Sequence, residues 1–135
     1  MNELEMVLRL VLSVILGGLI GLERQLHRRT AGLRTNILVC LGSCLIMVLS
    51  LHIYEIYRGV AAVDPSRIAS GVITGIGFLG AGTIIREREN IKGLTTAACL
   101  WVVSAISLAV GCGFYTAGVV TAALTLMVLF FLRYF

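Results

Sequence analysis

Five apolar runs of about 17 to 20 residues follow one another along this chain, at 4–22, 36–54, 68–85, 94–110 and 114–132, with only short connections between them. An α-helix rises about 1.5 Å per residue, so each run is long enough to cross a hydrocarbon core of roughly 30 Å. Inside such a core only a helix or a closed barrel can satisfy its own backbone. The expectation is an all-α, polytopic membrane protein of about five transmembrane helices forming a single domain over residues 1–135. Composition agrees: 59% of the 135 residues are hydrophobic and 13% charged, with a mean hydropathy of +1.00, which leaves too little polar surface to clothe a water-soluble globule. The first run is too long for a signal-peptide core and lacks a small-residue cleavage site before Glu23-Arg24, so it is expected to be retained as a span.

The basic residues fall unevenly among the connections. The first carries Arg24, Arg28, Arg29 and Arg34 and the third carries Arg86, Arg88 and Lys92; the second has Arg58 and Arg67 offset by Glu55 and Asp64, and the fourth has none. Basic loops stay in the cytoplasm, so the N-terminus is expected outside and the C-terminus, with Arg133, inside. The net charge of +4 is therefore a topology signal, and no nucleic-acid partner is implied. Asp64-Pro65 is expected to open the third helix, the Asp capping free amides and the Pro fixing the first turn. Gly111-Cys112-Gly113 reads as a tight reversal.

Charge within a span is costly, and only Arg9 raises the question. Its position near the outer end, with Glu5 one turn earlier, predicts snorkelling to the interface. The other intramembrane polar groups are mostly hydroxyls, which bond to their own backbone. No midplane carboxylate is available as a proton relay, and no embedded His or Asp accompanies a nucleophile, so no enzymatic activity is expected. Cys40 and Cys44, one turn apart, could form half of a soft-metal site but read better as small packing residues. His27 and His52 belong to opposite ends. Glu23, in GLIGLERQ, is expected to pair with Arg24 or Arg28.

The stretch GVITGIGFLGAGTII at 71–85 holds Gly75, Gly77 and Gly80 in the spacing of a dinucleotide-binding loop. That chemistry needs a preceding strand and a ribose-binding acid about 20 residues on, and neither is present. On a helical projection Ser70, Gly71, Thr74, Gly75, Gly77, Ala81 and Gly82 share one arc, and Val72, Ile73, Ile76, Leu79 and Ile84 share the other. The first arc is expected to be a packing groove at the centre of the bundle and the second a lipid face. A helix broken at its glycines to line an ion path is the alternative.

GGLIGLERQ, then AGLRTNILVCLG at 31–42, RIASGVITGIGFLGAGTIIREREN at 67–90 and KGLTTAACLWVVSAISLAVG at 92–111 closely resemble the membrane domain of the MgtC/SapB family, collinearly over nearly the whole chain. The resemblance implies a bacterial inner-membrane protein linked to magnesium limitation, acid stress and, in pathogens, virulence. It also implies a regulatory role, with inhibition of the rotary ATP synthase proposed for some members. Many members continue into a cytoplasmic C-terminal domain, whereas this sequence ends at Phe135.

Two functions follow as expectations. One is regulation of another membrane complex by lateral association, together with a homo-oligomer. The other is a carrier of Mg²⁺ or another cation, for which Glu23 and Glu87 are weak metal candidates; no other cofactor is implied. The polar residues singled out are Glu23, Arg24, Arg34, Asn36, Arg67, Glu87, Thr95 and Thr96, and the helix-packing residues are Gly71, Gly75, Gly77, Gly80 and Gly82.

Overall fold

The protein is described by a computed structural model covering residues 1–133. Five helices run in order: α1 (Glu3–Leu26), α2 (Leu33–Tyr57), α3 (Ser66–Ala81), α4 (Leu94–Gly111) and α5 (Tyr115–Phe131). Between α3 and α4 lies a short antiparallel hairpin, β1 (Ile85–Glu87) and β2 (Asn90–Lys92), in the register Ile85↔Lys92, Arg86↔Ile91, Glu87↔Asn90. The all-helical expectation holds. Helices α1, α2 and α4 are long and apolar enough to cross a membrane, while α3 with 16 residues and α5 with 17 are apolar but shorter.

Helix ends depart from the ends of the apolar runs for local reasons. The Asn2 side chain caps α1 by accepting the Glu5 amide at 2.7 Å. The same helix continues beyond residue 22 through GLERQL, which has neither Gly nor Pro after Gly21 to stop it, until Arg28 takes a left-handed φ of 54°. At α3, Asp64 Oδ1 accepts both the Ser66 amide at 2.9 Å and its hydroxyl at 2.7 Å, as the Asp-Pro pair predicts. The third run does not remain helical to residue 85. Thr83 bonds back to the Gly80 carbonyl through its amide (2.9 Å) and hydroxyl (2.7 Å), closing α3 in a tight turn that feeds the hairpin.

Helix α4 forms the centre of the bundle, packed against each of the other four. Its Val103, Ser104, Ser107 and Val110 are wholly enclosed. Helix α1 turns Ser13, Leu16, Gly17, Ile20, Gly21 and Arg24 inward, a stripe at helical spacing that meets Val39, Cys40 and Cys44 of α2. The closest approach is at α1's own small-xxx-small pair: a Cβ on Gly17 would stand 2.6 Å from Cys40 Sγ, and one on Gly21 would stand 2.9 Å from Leu33 Cα.

The Gly-rich helix is placed differently from the expectation. Helix α3 lies at the edge, against α4 and α2, and its inward face is Ala69, Val72, Ile76 and Gly80. Of the expected packing glycines, Gly80 packs on Ala97, whose Cβ would lie 3.4 Å from an added Cβ, whereas Gly71, Gly75 and Gly77 face open space and Gly82 adjoins only the carbonyls of its own terminal turn. The physical reason is that Val72 and Ile76 fill the recess between α2 and α4 with far more apolar surface than a glycine row could.

Arg9 keeps the Glu5 partner expected one turn earlier but does not reach out to the surface. It is turned inward and is only 8% exposed, donating from Nη1 to the Gly111 carbonyl at 2.7 Å and from Nε to the Tyr115 hydroxyl at 3.1 Å, and it pairs with Glu5. It thus clamps α1 to the α4–α5 reversal, where Gly113 has the left-handed φ of 87° that the tight turn requires. The last carbonyls of a helix lack intrahelical partners, so the Gly111 oxygen is a ready acceptor for a buried guanidinium.

Candidate functional site

Three helix ends converge on one side of the bundle: the last turn of α1 and the first turns of α2 and α4. Gly21 allows the first two to meet, its Cα facing the Asn36 side chain and the Gly32 carbonyl. Asn36 is 1% exposed; its Nδ2 donates to the carbonyls of Ala31 (3.2 Å) and Gly32 (2.9 Å), holding the connection, while its Oδ1 is buried with no partner. Arg24 reaches across from α1 and donates from Nη2 to Thr96 Oγ1 at 3.1 Å, and its Nε is buried without a hydrogen bond. Glu23 turns to His27, whose Nδ1 lies 3.1 Å from Oε1, and leaves its Oε2 buried and unpartnered. Buried polar atoms are nearly always satisfied, so three orphans at one end make this the candidate site.

A cavity of about 620 Å³ opens beside this cluster, lined by Arg24, Arg28, Arg29, Lys92 and the first turn of α4, including Thr95 and Thr96. A second, of about 260 Å³, shares Arg24, Arg29 and Thr95 and adds Leu129 and Arg133. The hairpin carries Lys92 to this cavity, and Gly93, at φ 90°, swings the chain into α4 with no side-chain cap on its free amides.

Of the residues singled out from the sequence, Arg24, Thr95 and Thr96 are brought together, with Asn36 and Glu23 in the adjoining turns. Arg34 is exposed, and Arg67 is exposed near the opposite end, where Ser50 of α2 donates to the Pro65 carbonyl. Glu87 sits on the exposed hairpin beside Lys92 at 3.8 Å, so it and Glu23 each face a basic partner of their own. Among the described residues no three His, Cys, Asp or Glu side chains gather as a metal site. Cys40 and Cys44 are fully buried packing residues with free thiols. The convergence of Arg28, Arg29, Lys92 and Arg133 was not visible in the sequence, where they serve only as loop charges; the signal available was the Gly93 that turns the hairpin back.

A separate groove of about 500 Å³ runs between α2 and α3, lined by Val39, Ile46, Val72 and Leu79 and floored by glycines. A Cβ added at Gly42, Gly71 or Gly75 would meet nothing within 4 Å.

A bundle of apolar helices whose charged residues gather at the helix ends and connections defines a multi-pass membrane protein. The chain belongs to the MgtC family, whose model matches residues 10–135. It is 45% identical over 127 residues to "Putative magnesium transporter YhiD" of Escherichia coli K12, covering 93% of this chain and 59% of that protein. It is 44% identical over 107 residues to MgtC of Salmonella typhimurium (79% of this chain, 43% of that protein) and 38% identical over 116 residues to SapB of Bacillus subtilis (82% and 49%). The chain thus spans about half the length of these relatives. No solved structure matches it. The protein is a bacterial membrane protein.

Proposed function

We propose that this protein lies in the bacterial inner membrane with five crossings, N-terminus outside and C-terminus inside, and serves magnesium homeostasis and stress or virulence adaptation without enzymatic activity. It regulates another membrane complex by receiving one of that complex's helices in the groove between α2 and α3. The observation carrying this reading is the open glycine floor at Gly42, Gly71 and Gly75. Helices in lipid gain little from hydrophobicity and much from close backbone approach, and that floor offers it. The magnesium link comes from the name carried by YhiD and from the family resemblance. The rotary ATP synthase, suggested by the same resemblance, is the first complex to test, and a second copy of this chain is the other occupant.

The test is an affinity purification in mild detergent from cells grown at low and high magnesium, comparing the wild type with Gly75→Leu. The expected result is a co-purifying complex that the leucine, by filling the groove, displaces. A native mass of one chain under all conditions, or recovery of the same complex by both proteins, overturns the reading.

The competing reading, a cation carrier, is less favoured by the geometry. A cation entering at the converging helix ends meets Arg24, Arg28, Arg29 and Lys92 lining the largest polar cavity there. Mg²⁺ binds through carboxylates and retained waters. Magnesium flux in proteoliposomes that falls with Glu23→Gln would restore the carrier reading.

A further inference from the structure

The cavity at the converging helix ends is shaped for an anion. Arg24, Arg28, Arg29 and Lys92 line it, and among the described residues no acidic side chain does; Glu23 is turned to His27, and Glu87, on the same face of the hairpin as Lys92, lies 3.8 Å from its ammonium. The N-terminus of α4, an 18-residue helix, contributes its first amides and the positive end of its dipole, and no side chain caps it. The independent observation is Arg24. It is 4% exposed, it lines both adjoining cavities, and its Nε is buried with no acceptor while Nη2 is tied to Thr96 at α4's first turn. A guanidinium that lines both cavities, holds only Thr96 among the described residues as a hydrogen-bond partner and faces a helix N-terminus suits an oxyanion.

The surroundings point to the source of that oxyanion. Through Thr95, Val128 and Leu129 the smaller cavity runs into an apolar groove of about 330 Å³ between α4 and α5, lined by Ala98, Val102, Thr121 and Leu124. A basic chamber at the end of the bundle, continuous with an apolar slot along its side, matches in polarity a charged headgroup followed by an acyl chain. We propose that this is a binding site for the phosphate group of an anionic phospholipid, held by Arg24, Arg29, Lys92 and the α4 amides, with a chain laid between α4 and α5. On the orientation proposed above it draws from the cytoplasmic leaflet, where basic pockets between helices meet anionic headgroups. The site does not depend on the α2–α3 groove, which lies elsewhere on the bundle, and Gly75→Leu leaves it intact.

The full chain, purified and delipidated in a neutral detergent, is titrated with phosphatidylglycerol, with uncharged diacylglycerol of the same chains, and with inorganic phosphate, reading lipid retention by native mass spectrometry and phosphate by calorimetry. Phosphatidylglycerol is expected to bind at least about tenfold more tightly than diacylglycerol. The exposed pair Arg29→Gln/Lys92→Gln should weaken it about tenfold or more, Arg24→Lys should do so while keeping the charge, and Arg58→Gln/Arg67→Gln, at the two ends of the α2–α3 connection, should not. Ala98→Trp, which fills the slot, should lower lipid retention and leave phosphate binding unchanged. Inorganic phosphate bound with the same dependence on Arg29 and Lys92, but with no lipid retained, overturns the lipid and assigns the free ion. Equal affinity of the wild type and Arg29→Gln/Lys92→Gln for both probes overturns the site altogether.

Discussion

At the scale of single residues, the chain's glycines divide into those that touch a neighbour and those that do not, and the two kinds carry opposite consequences. A Cβ at Gly17 would lie 2.6 Å from Cys40 Sγ, 2.8 Å from its Cβ and 3.0 Å from the Asn36 carbonyl, and neither that Cβ nor the backbone oxygen can swing aside. Gly17→Ala should therefore destabilise the bundle by about 1–3 kcal/mol. Gly75→Ala meets nothing and gains helix propensity, so it should be neutral to about 1 kcal/mol stabilising in the isolated chain. Unfolding of both variants in detergent checks the pair; a Gly75→Ala protein weakened as much as Gly17→Ala would mean that α3 is packed inward after all. Glycine density, greatest in α3, did not locate the tightest contact within the chain, which falls at Gly17 and Gly21 of α1, because steric need depends on what lies opposite. Arg9 teaches the same lesson: its place in the span was legible, but the Gly111 carbonyl and the Tyr115 hydroxyl that draw it inward are more than 100 residues away in the chain.

At the scale of elements, the segment between α3 and α4 does the most to build the candidate sites. Gly93 combines a φ of 90° with a Thr83 carbonyl standing where a Cβ would go. Gly93→Ala is expected to cost at least about 2 kcal/mol and to release the hairpin, raising the rate of trypsin cleavage at Arg86, Arg88 and Lys92. Unchanged cleavage and melting would show that the hairpin's path is not held there. At the other end of α3, hydrogen bonds from the Ser66 hydroxyl and amide, with help from Arg67, hold the Asp64 carboxyl below its ordinary value. A lowered acid contributes above the unfolded value of about 3.9 and loses that contribution as pH falls through the folded one. Hydrogen exchange in the first turn of α3 should thus be insensitive to this group between pH 5 and 8, after correction for intrinsic rates, and should accelerate below about pH 4. Asp64→Asn should abolish that acid dependence. The cap itself was legible in the Asp-Pro pair, because capping is local. The hairpin was not, because an apolar run with basic residues beyond it reads equally well as a longer helix.

At the scale of the whole molecule, the distribution of Lys and Arg and the burial of the cysteines combine into one test. Cys40, Cys44 and Cys99 are buried, whereas Cys112 is exposed on the α4–α5 connection. With the N-terminus outside, that connection faces outward, so a membrane-impermeant maleimide should label Cys112 on intact spheroplasts without permeabilisation. Labelling that requires permeabilisation would reverse the proposed orientation. Residues of the wild type that react at the other three cysteines would instead indicate a looser core than the one described.

Hydropathy and helical period alone determined that this chain is a bundle of apolar helices, where its main connections fall and which polar residues stand at helix ends, because each of these follows from a cost the residue meets locally in water or lipid. Which helix occupies the centre, where Arg9 points and how Arg24, Arg29, Lys92 and the start of α4 come to share one chamber were decided only by tertiary structure. Those outcomes depend on the shape complementarity of segments far apart in the chain, and a one-dimensional pattern records the character of a face without recording what will lie against it.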